Sequence, residues 1–162
     1  MLSAIVLIGF CATSNAQSTA TAQTDAILIT PISITKDVDM HFGTVGASGT
    51  SGTVLLDYAD GRTTTGGASL YAIGTLEKTA VFTVTGEGTN SFSISIPSSD
   101  ITLTSGPNTM TVGTFECDLG TSSSLVGGTK ELKVKAILAV GVGQAAGTYT
   151  NASDLFVTVN YN

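Results

Sequence analysis

The sequence predicts an all-β sandwich, on three observations. From Gln17 onward no apolar pattern keeps a 3.6-residue period over the roughly ten residues that a helix needs. Short runs rich in Val, Ile, Thr, Phe and Tyr recur instead, divided by Gly, Asp, Asn and Pro at the spacing of strands and turns. Charged residues make up only 11% of the chain, Gly numbers 19 and Thr and Ser are abundant, so polar faces must be built from Thr and Ser; β-branched Thr suits a pleated surface.

Taken in order, residues 1–16 open with an apolar run over 2–12 and close on Ser14-Asn15-Ala16. A small-x-Ala site before Gln17 is what signal peptidase cuts, and a run of about eleven residues is too short to span a bilayer. The run has no Lys or Arg ahead of it, and Phe10 before Cys11 is too bulky for the usual lipidation box. Removing this segment leaves about 146 residues, enough for one domain with a sizeable core. The expected organisation is a signal peptide over 1–16, an N-terminal extension over 17–30 and a β-sandwich domain over 31–162.

The extension reads QSTATAQTDAILIT. Ala20, Ala22, Thr24, Ala26 and Leu28 fall on one face of an extended chain, with Thr19, Thr21, Gln23 and Asp25 on the other. Pro31 separates it from Ile32, which leaves two readings open. It is either a strand-capable tail able to pair outside its own sheet, or a flexible leader followed by a first strand kinked at Pro31.

Strands are predicted near 32–35, 40–43, 53–58, 69–73, 79–85, 91–96, 101–103, 109–115, 132–140 and 155–161. Asp60-Gly61 closes a hairpin after Val54-Leu55-Leu56, Gly supplying positive φ. Residues 86–90 join the strand of Val81, Phe82 and Val84 to that of Phe92, Ile94 and Ile96, and these two form the expected central hairpin. Pro97, which has no N–H for a ladder, ends the second. Residues 120–128 are expected to be an exposed loop of small residues. Lys130, Lys133 and Lys135 read as a solvated strand edge, where Lys discourages unwanted pairing.

The last strand is the most regular. Leu155, Val157, Val159 and Tyr161 alternate with Thr158 and Asn160, the pattern of a half-buried strand. Nothing downstream is there to cover its second edge, so either the N-terminal segment returns to flank it or a strand from another molecule does. The expectation is a subunit that associates by strand addition.

Several function classes are disfavoured. A formal net charge of −6 and a pI near 4.4 offer phosphates no basic patch, which argues against nucleic acid. No second stretch is apolar and long enough to cross a membrane. His41, the single histidine, lies between Met40 and Phe42 and is expected to face solvent, which leaves zinc ligation and a Ser-His-Asp site without a set of residues. Asp37, Asp39, Asp57 and Asp60 could be proposed as calcium ligands, but an Asp-Gly turn explains the last two more simply. With no Trp and few aromatics, sugar binding gains little support. No catalytic, cofactor or metal residue is assigned, and no enzyme is expected. Cys117, alone once the signal leaves, cannot form an internal disulfide; it is either a buried inert thiol or a bridge between molecules.

Phe42-Gly43, Gly52-Thr53-Val54, Asp60-Gly61, Phe82-Thr83-Val84-Thr85-Gly86, Ile94-Ser95-Ile96-Pro97, the 144–150 stretch QAAGTYT and the 157–161 stretch VTVNY carry a resemblance in their order. The chain resembles a bacterial domain-of-unknown-function family of secreted β-proteins ending in AGTYT and VTVNY, which is similar in turn to spore-coat-U domains and chaperone–usher pilins. The resemblance implies an immunoglobulin-like Greek-key sandwich that lacks its final strand. A periplasmic chaperone and an outer-membrane usher would handle it, and the extension of the next subunit would complete it at the cell surface. Ala20, Ala22, Thr24, Ala26 and Leu28 would be the donor side chains and Leu155, Val157, Val159 and Tyr161 the acceptor strand, with Gly147 and Tyr149 in the segment leading to it. Such domains commonly carry a disulfide, which this chain cannot form. The alternative expectation is a self-complemented monomeric surface module.

Overall fold

The computed structural model describes residues 16–152 and 154–162, so the expected signal peptide lies outside the described residues except for Ala16. Among the described residues there is no helix, and the strands are β1 (Ser33–Val38), β2 (Thr44–Gly46), β3 (Gly52–Leu56), β4 (Arg62–Gly66), β5 (Ser69–Tyr71), β6 (Ala80–Thr85), β7 (Ser91–Ser95), β8 (Ile101–Ser105), β9 (Asn108–Cys117), β10 (Ser122–Ser124), β11 (Thr129–Val140) and β12 (Thr158–Tyr161). They form antiparallel sheets of seven, three and two strands in a sandwich-like all-β fold.

β11 is the hub of the large sheet. Leu132, Val134, Ala136, Leu138 and Val140 alternate inward and are buried, as period-2 patterning requires. Both of its edges are paired. Along one edge Thr129–Val134 meets β6 and Ala136–Val140 meets β3, while β9 runs along the other edge from Val134 to Ala139. β6 and β3 therefore lie end to end beside β11. The seam between them is stitched by Asp60, which accepts from the Thr79 N–H at 2.7 Å and pairs with Lys78 at 2.6 Å. Thr79 in turn donates its hydroxyl to the Val134 carbonyl at 2.8 Å. The lysines expected on a strand edge thus belong to the most enclosed strand: alternation sets the face a side chain takes, but a strand becomes an edge or a centre by what arrives beside it.

The central hairpin expected of β6 and β7 is absent: β6 lies between β1 and β11 in the large sheet, and β7 lies between β10 and β12 in the three-stranded sheet. The chain at 86–90 arches from one sheet to the other, braced by Gly86 N–H to the Gly128 carbonyl (2.9 Å) and Gly128 N–H to the Gly88 carbonyl (2.8 Å). Phe82, Val84, Phe92 and Ile94 consequently share one core cluster with Leu132, Val134 and Val159. Two apolar strands in sequence bury more side-chain area facing each other across a sandwich than lying side by side in one sheet. A second cluster gathers Phe42, Val54, Leu56, Val112, Leu138 and Val140, and Met40 and Phe115 pack against both.

Smaller differences have local causes. The strand expected at 40–43 is a single bridge between His41 and Lys78, with the strand proper at β2, paired with β5. His41 is exposed beside buried Phe42, and its Nδ1 accepts from the Gly43 N–H at 2.9 Å. In the β3–β4 turn the positive φ belongs to Asp60 (65°), not to Gly61. Gly61 is required for space, since a Cβ there would sit 2.5 Å from the Asp57 carboxylate, which accepts the Ala59 and Gly61 N–H groups at 2.8 Å each. The expected 120–128 loop contains β10, and its Leu125 is inserted into the first core at 1% exposure.

Candidate functional site: an open strand edge, an apolar groove and an exposed arm

β12 carries the predicted alternation. Val159 is buried, Leu155, Val157 and Tyr161 are half-buried against the first core, and Phe156, Thr158 and Asn160 face out. The paired strand is shorter than expected, because Thr158–Tyr161 alone meets β7 at Ser95–Phe92 and the chain at 155–157 runs unpaired ahead of it. Among the described residues no strand lies along the other edge of β12. β1 is likewise an edge strand, of the large sheet, paired only with β6. The two edges come within 8 Å, Cα to Cα.

They differ in how they are guarded. β1 carries the Lys36–Asp39 ion pair at its end and a register shift between Lys36 and Val38, both features that discourage a further strand. β12 carries neither charge nor bulge.

Where β1 ends and the chain approaches β12, a groove of about 1030 Å³ opens into the sandwich. Val38 and Met40 line one side, Leu155 the other, and Phe82, Val112, Leu138 and Val140 from the two cores lie beneath. Residues 41–47 and the QAAGTYT segment complete its walls. Gln144 Nε2 donates to the Thr109 carbonyl (3.1 Å) and to the Tyr149 hydroxyl (2.8 Å), which donates on to the Ala145 carbonyl (2.7 Å). Thr150 exchanges two backbone bonds of 3.0 Å with Thr104 of β8. Gly147 lies so near β8 that a Cβ would be 2.4 Å from Ser105 Oγ. Gly147 and Tyr149 thus shape a groove wall.

The extension does not enter this groove. Residues 16–31 are exposed and form no strand, so Ala20, Ala22, Thr24, Ala26 and Leu28 all stand in solvent. Ile27 and Leu28 are 91% and 99% exposed and Ile29 is 44% exposed, so three consecutive large aliphatic residues stand in water as one apolar run. The arm is fixed at its root. Thr30 donates its N–H (3.1 Å) and hydroxyl (2.7 Å) to the Glu87 carboxylate, and its carbonyl accepts from the Tyr161 hydroxyl (2.9 Å). That hydroxyl also accepts from the Glu87 N–H at 2.6 Å. The Thr30 hydrogen bonds hold the Glu87 carboxyl below its usual range. Gly86 makes room for the arrangement, since a Cβ there would lie 2.2 Å from the Tyr161 oxygen.

Sequence reasoning found the arm, β12, Gly147 and Tyr149, but not Glu87, Thr30 or the groove floor at Phe82 and Leu138. Glu87 lies in a Gly-rich turn and gave no signal there; it gained its partners when the arch brought residues 57 positions apart together. Cys117 is half-buried and unbridged, and burial is the main cause that raises its thiol pKa, as expected of an inert thiol.

Fold and site define a sandwich-like all-β domain with a protruding arm, in which β12, like β4 and β10, is paired along one edge only. Residues 32–161 match the family described as Domain of unknown function (DUF4402), and the chain belongs to that family. Comparison with curated proteins finds no match, and comparison with solved structures finds none either.

Proposed function

We propose that this protein is a structural subunit of an extracellular fibre, in which the 17–30 arm of one copy lies along the open edge of β12 in the next and covers its groove. The observation that carries this reading is a pair of complementary surfaces that within one molecule touch only at the arm's root, Thr30. One is an exposed arm with Ile27 and Leu28 in water, and the other is a strand edge with unpaired backbone groups, approached through Leu155 on the wall of a groove with an apolar floor. Strand addition satisfies both, main-chain bonds supplying affinity and alternating side chains supplying specificity. On β12 itself a donor makes about four ladder bonds, which at roughly 0.5–1.5 kcal/mol each are a sizeable share of the stability of a whole domain. A subunit awaiting its donor is therefore sticky, and a periplasmic chaperone and an outer-membrane usher are the partners that the pilin-like reading supplies. On this reading the protein is exported to the cell surface, has no catalytic role and takes no cofactor.

A self-complemented surface module is the second reading, and the nearness of the arm's root to Tyr161 favours it. Self-insertion, however, needs the arm to reverse at Thr30, and Pro31 holds the residue before it in an extended conformation. Deleting 17–29 separates the readings. The fibre reading expects concentrated protein to give filaments by electron microscopy and the deletion variant to remain a monomer that binds a 17–30 peptide. Filaments from the deletion variant would discard it, and a strictly monomeric full-length protein at high concentration would favour the self-complemented module.

A further inference from the structure

Resting on the assembly reading above, we infer that Thr30, Glu87 and Tyr161 form a collar that aims the arm away from its own groove and so reserves it for a second copy. All three polar groups of Thr30 are engaged, its N–H and hydroxyl by Glu87 and its carbonyl by Tyr161. An exposed residue at the root of an otherwise free arm has no need of such complete satisfaction, because water would serve each group equally. What the three bonds add is direction. They hold the peptide planes on either side of Thr30, the same planes that would have to rotate for the arm to fold back over β12.

The collar is itself well founded. Tyr161 is fixed by β12 through its pairing with Phe92, and its ring packs against the first core. Glu87 is fixed by the arch, whose glycines bond Gly128 on both sides. Immediately beyond, Pro31 restricts Thr30 to extended backbone and Ile32 packs on the core. The arm is thus held on both sides of one residue and is free from Ile29 outward.

The two ends of the acceptor strand then have different tasks. Val159 and the side chains before it form the surface that a donor would cover, while Tyr161 holds the molecule's own arm out of the way. Thr30, Glu87 and Tyr161 are positioning residues that set which groove the arm reaches.

The test is a distance measurement in the mature protein, residues 17–162, which lacks Cys11. Nitroxide labels at Ala22→Cys in the arm and Thr148→Cys on the groove wall, with Cys117→Ala removing the native thiol, report arm-to-groove separation by double electron–electron resonance in dilute samples mixed with excess unlabelled protein. With the collar intact only long separations are expected. In Glu87→Ala with Tyr161→Phe, a short-distance population should rise by about tenfold, the effect of losing these hydrogen bonds, and filament yield should fall with it. Thr30→Val, at an exposed position, should give a smaller shift and keep the measurement valid if the double variant folds poorly. Variants that melt with the parent and show no short-distance population overturn the collar whatever happens to filaments. The arm deletion tests assembly itself, so the two ideas fail separately.

Discussion

β11 and β12 are both amphipathic strands with clean alternation, yet they stand at opposite limits of enclosure. β11 spans twelve residues, is paired along both edges and places Leu132, Val134 and Ala136 at 0% exposure. β12 spans four, is paired along one edge, and buries only Val159 while Leu155, Val157 and Tyr161 remain half-covered. Similar local patterns therefore end in different environments, and the difference lies in the neighbours. At β11 both edges are closed from within the chain: β3 and β6 share one of them and Asp60 seals the seam between them. At β12 the side-chain face is supplied with a core and the backbone edge with nothing, which is the combination that strand addition needs.

The comparison is broken most directly by core truncation. Leu132→Ala should cost about 2–5 kcal/mol in urea unfolding, and Val159→Ala, which removes two methyl groups at a partly open strand, about 1–2 kcal/mol. Equal costs would mean that β12 is as firmly built into the fold as β11. Next comes the brace of the β2–β5 pair, where buried Arg62 meets Glu77 at 3.1 Å and the carbonyls of Phe42 and Thr44 at 2.8 and 3.2 Å. Glu77→Gln leaves that guanidinium without its counter-charge and should cost about 1–3 kcal/mol, while an arm peptide binds β12 as before. Loss of peptide binding would show that the arm's site depends on this brace, which holds Phe42 and Thr44 at the groove wall.

A smaller effect, of opposite sign, is expected on β9. Thr114 sits at φ 52° in the stretch where the β9–β11 register shifts, a left-handed conformation that a β-branched residue strongly disfavours. Thr114→Gly should raise the unfolding free energy by up to about 1 kcal/mol, and a loss instead would mean that the threonine side chain offsets the strain.

The smallest is the acid response of the seam. The hydrogen bond from Lys78, and after it the Thr79 N–H, hold the Asp60 carboxyl below its ordinary value. Its folded-state pKa is depressed, so its contribution is complete above the usual carboxylate range and fades as pH falls through the lowered value, below about pH 4. Asp60→Asn keeps a side chain that tolerates φ 65° and should flatten this part of the acid-unfolding curve. An unchanged curve would move the acid sensitivity to other carboxylates.

Much of the architecture was legible because alternation is a local property. The inward faces of Val84, Phe92, Ile94, Leu132, Leu138 and Val159 follow from period 2 alone, and the Asp57–Gly61 turn follows from its residues. β4 and β10 were missed because RTTTG and SSS carry no apolar signal: these strands exist through the partners beside them, β3 and β7. Of the candidate site, the arm, the C-terminal strand and the Gly147–Tyr149 segment could be read, and the groove floor and Glu87 could not.

By itself the sequence determined that the chain is all-β and which side chains of its apolar strands face inward. Tertiary structure alone decided that β6 and β7 face each other across the sandwich, that β11 is central, and that β12 keeps a bare edge beside the arm's root. The physical reason is that a side chain's direction is set by the backbone of its own strand, whereas a backbone hydrogen bond needs a second strand, and which one comes is settled by how the whole chain closes over its core.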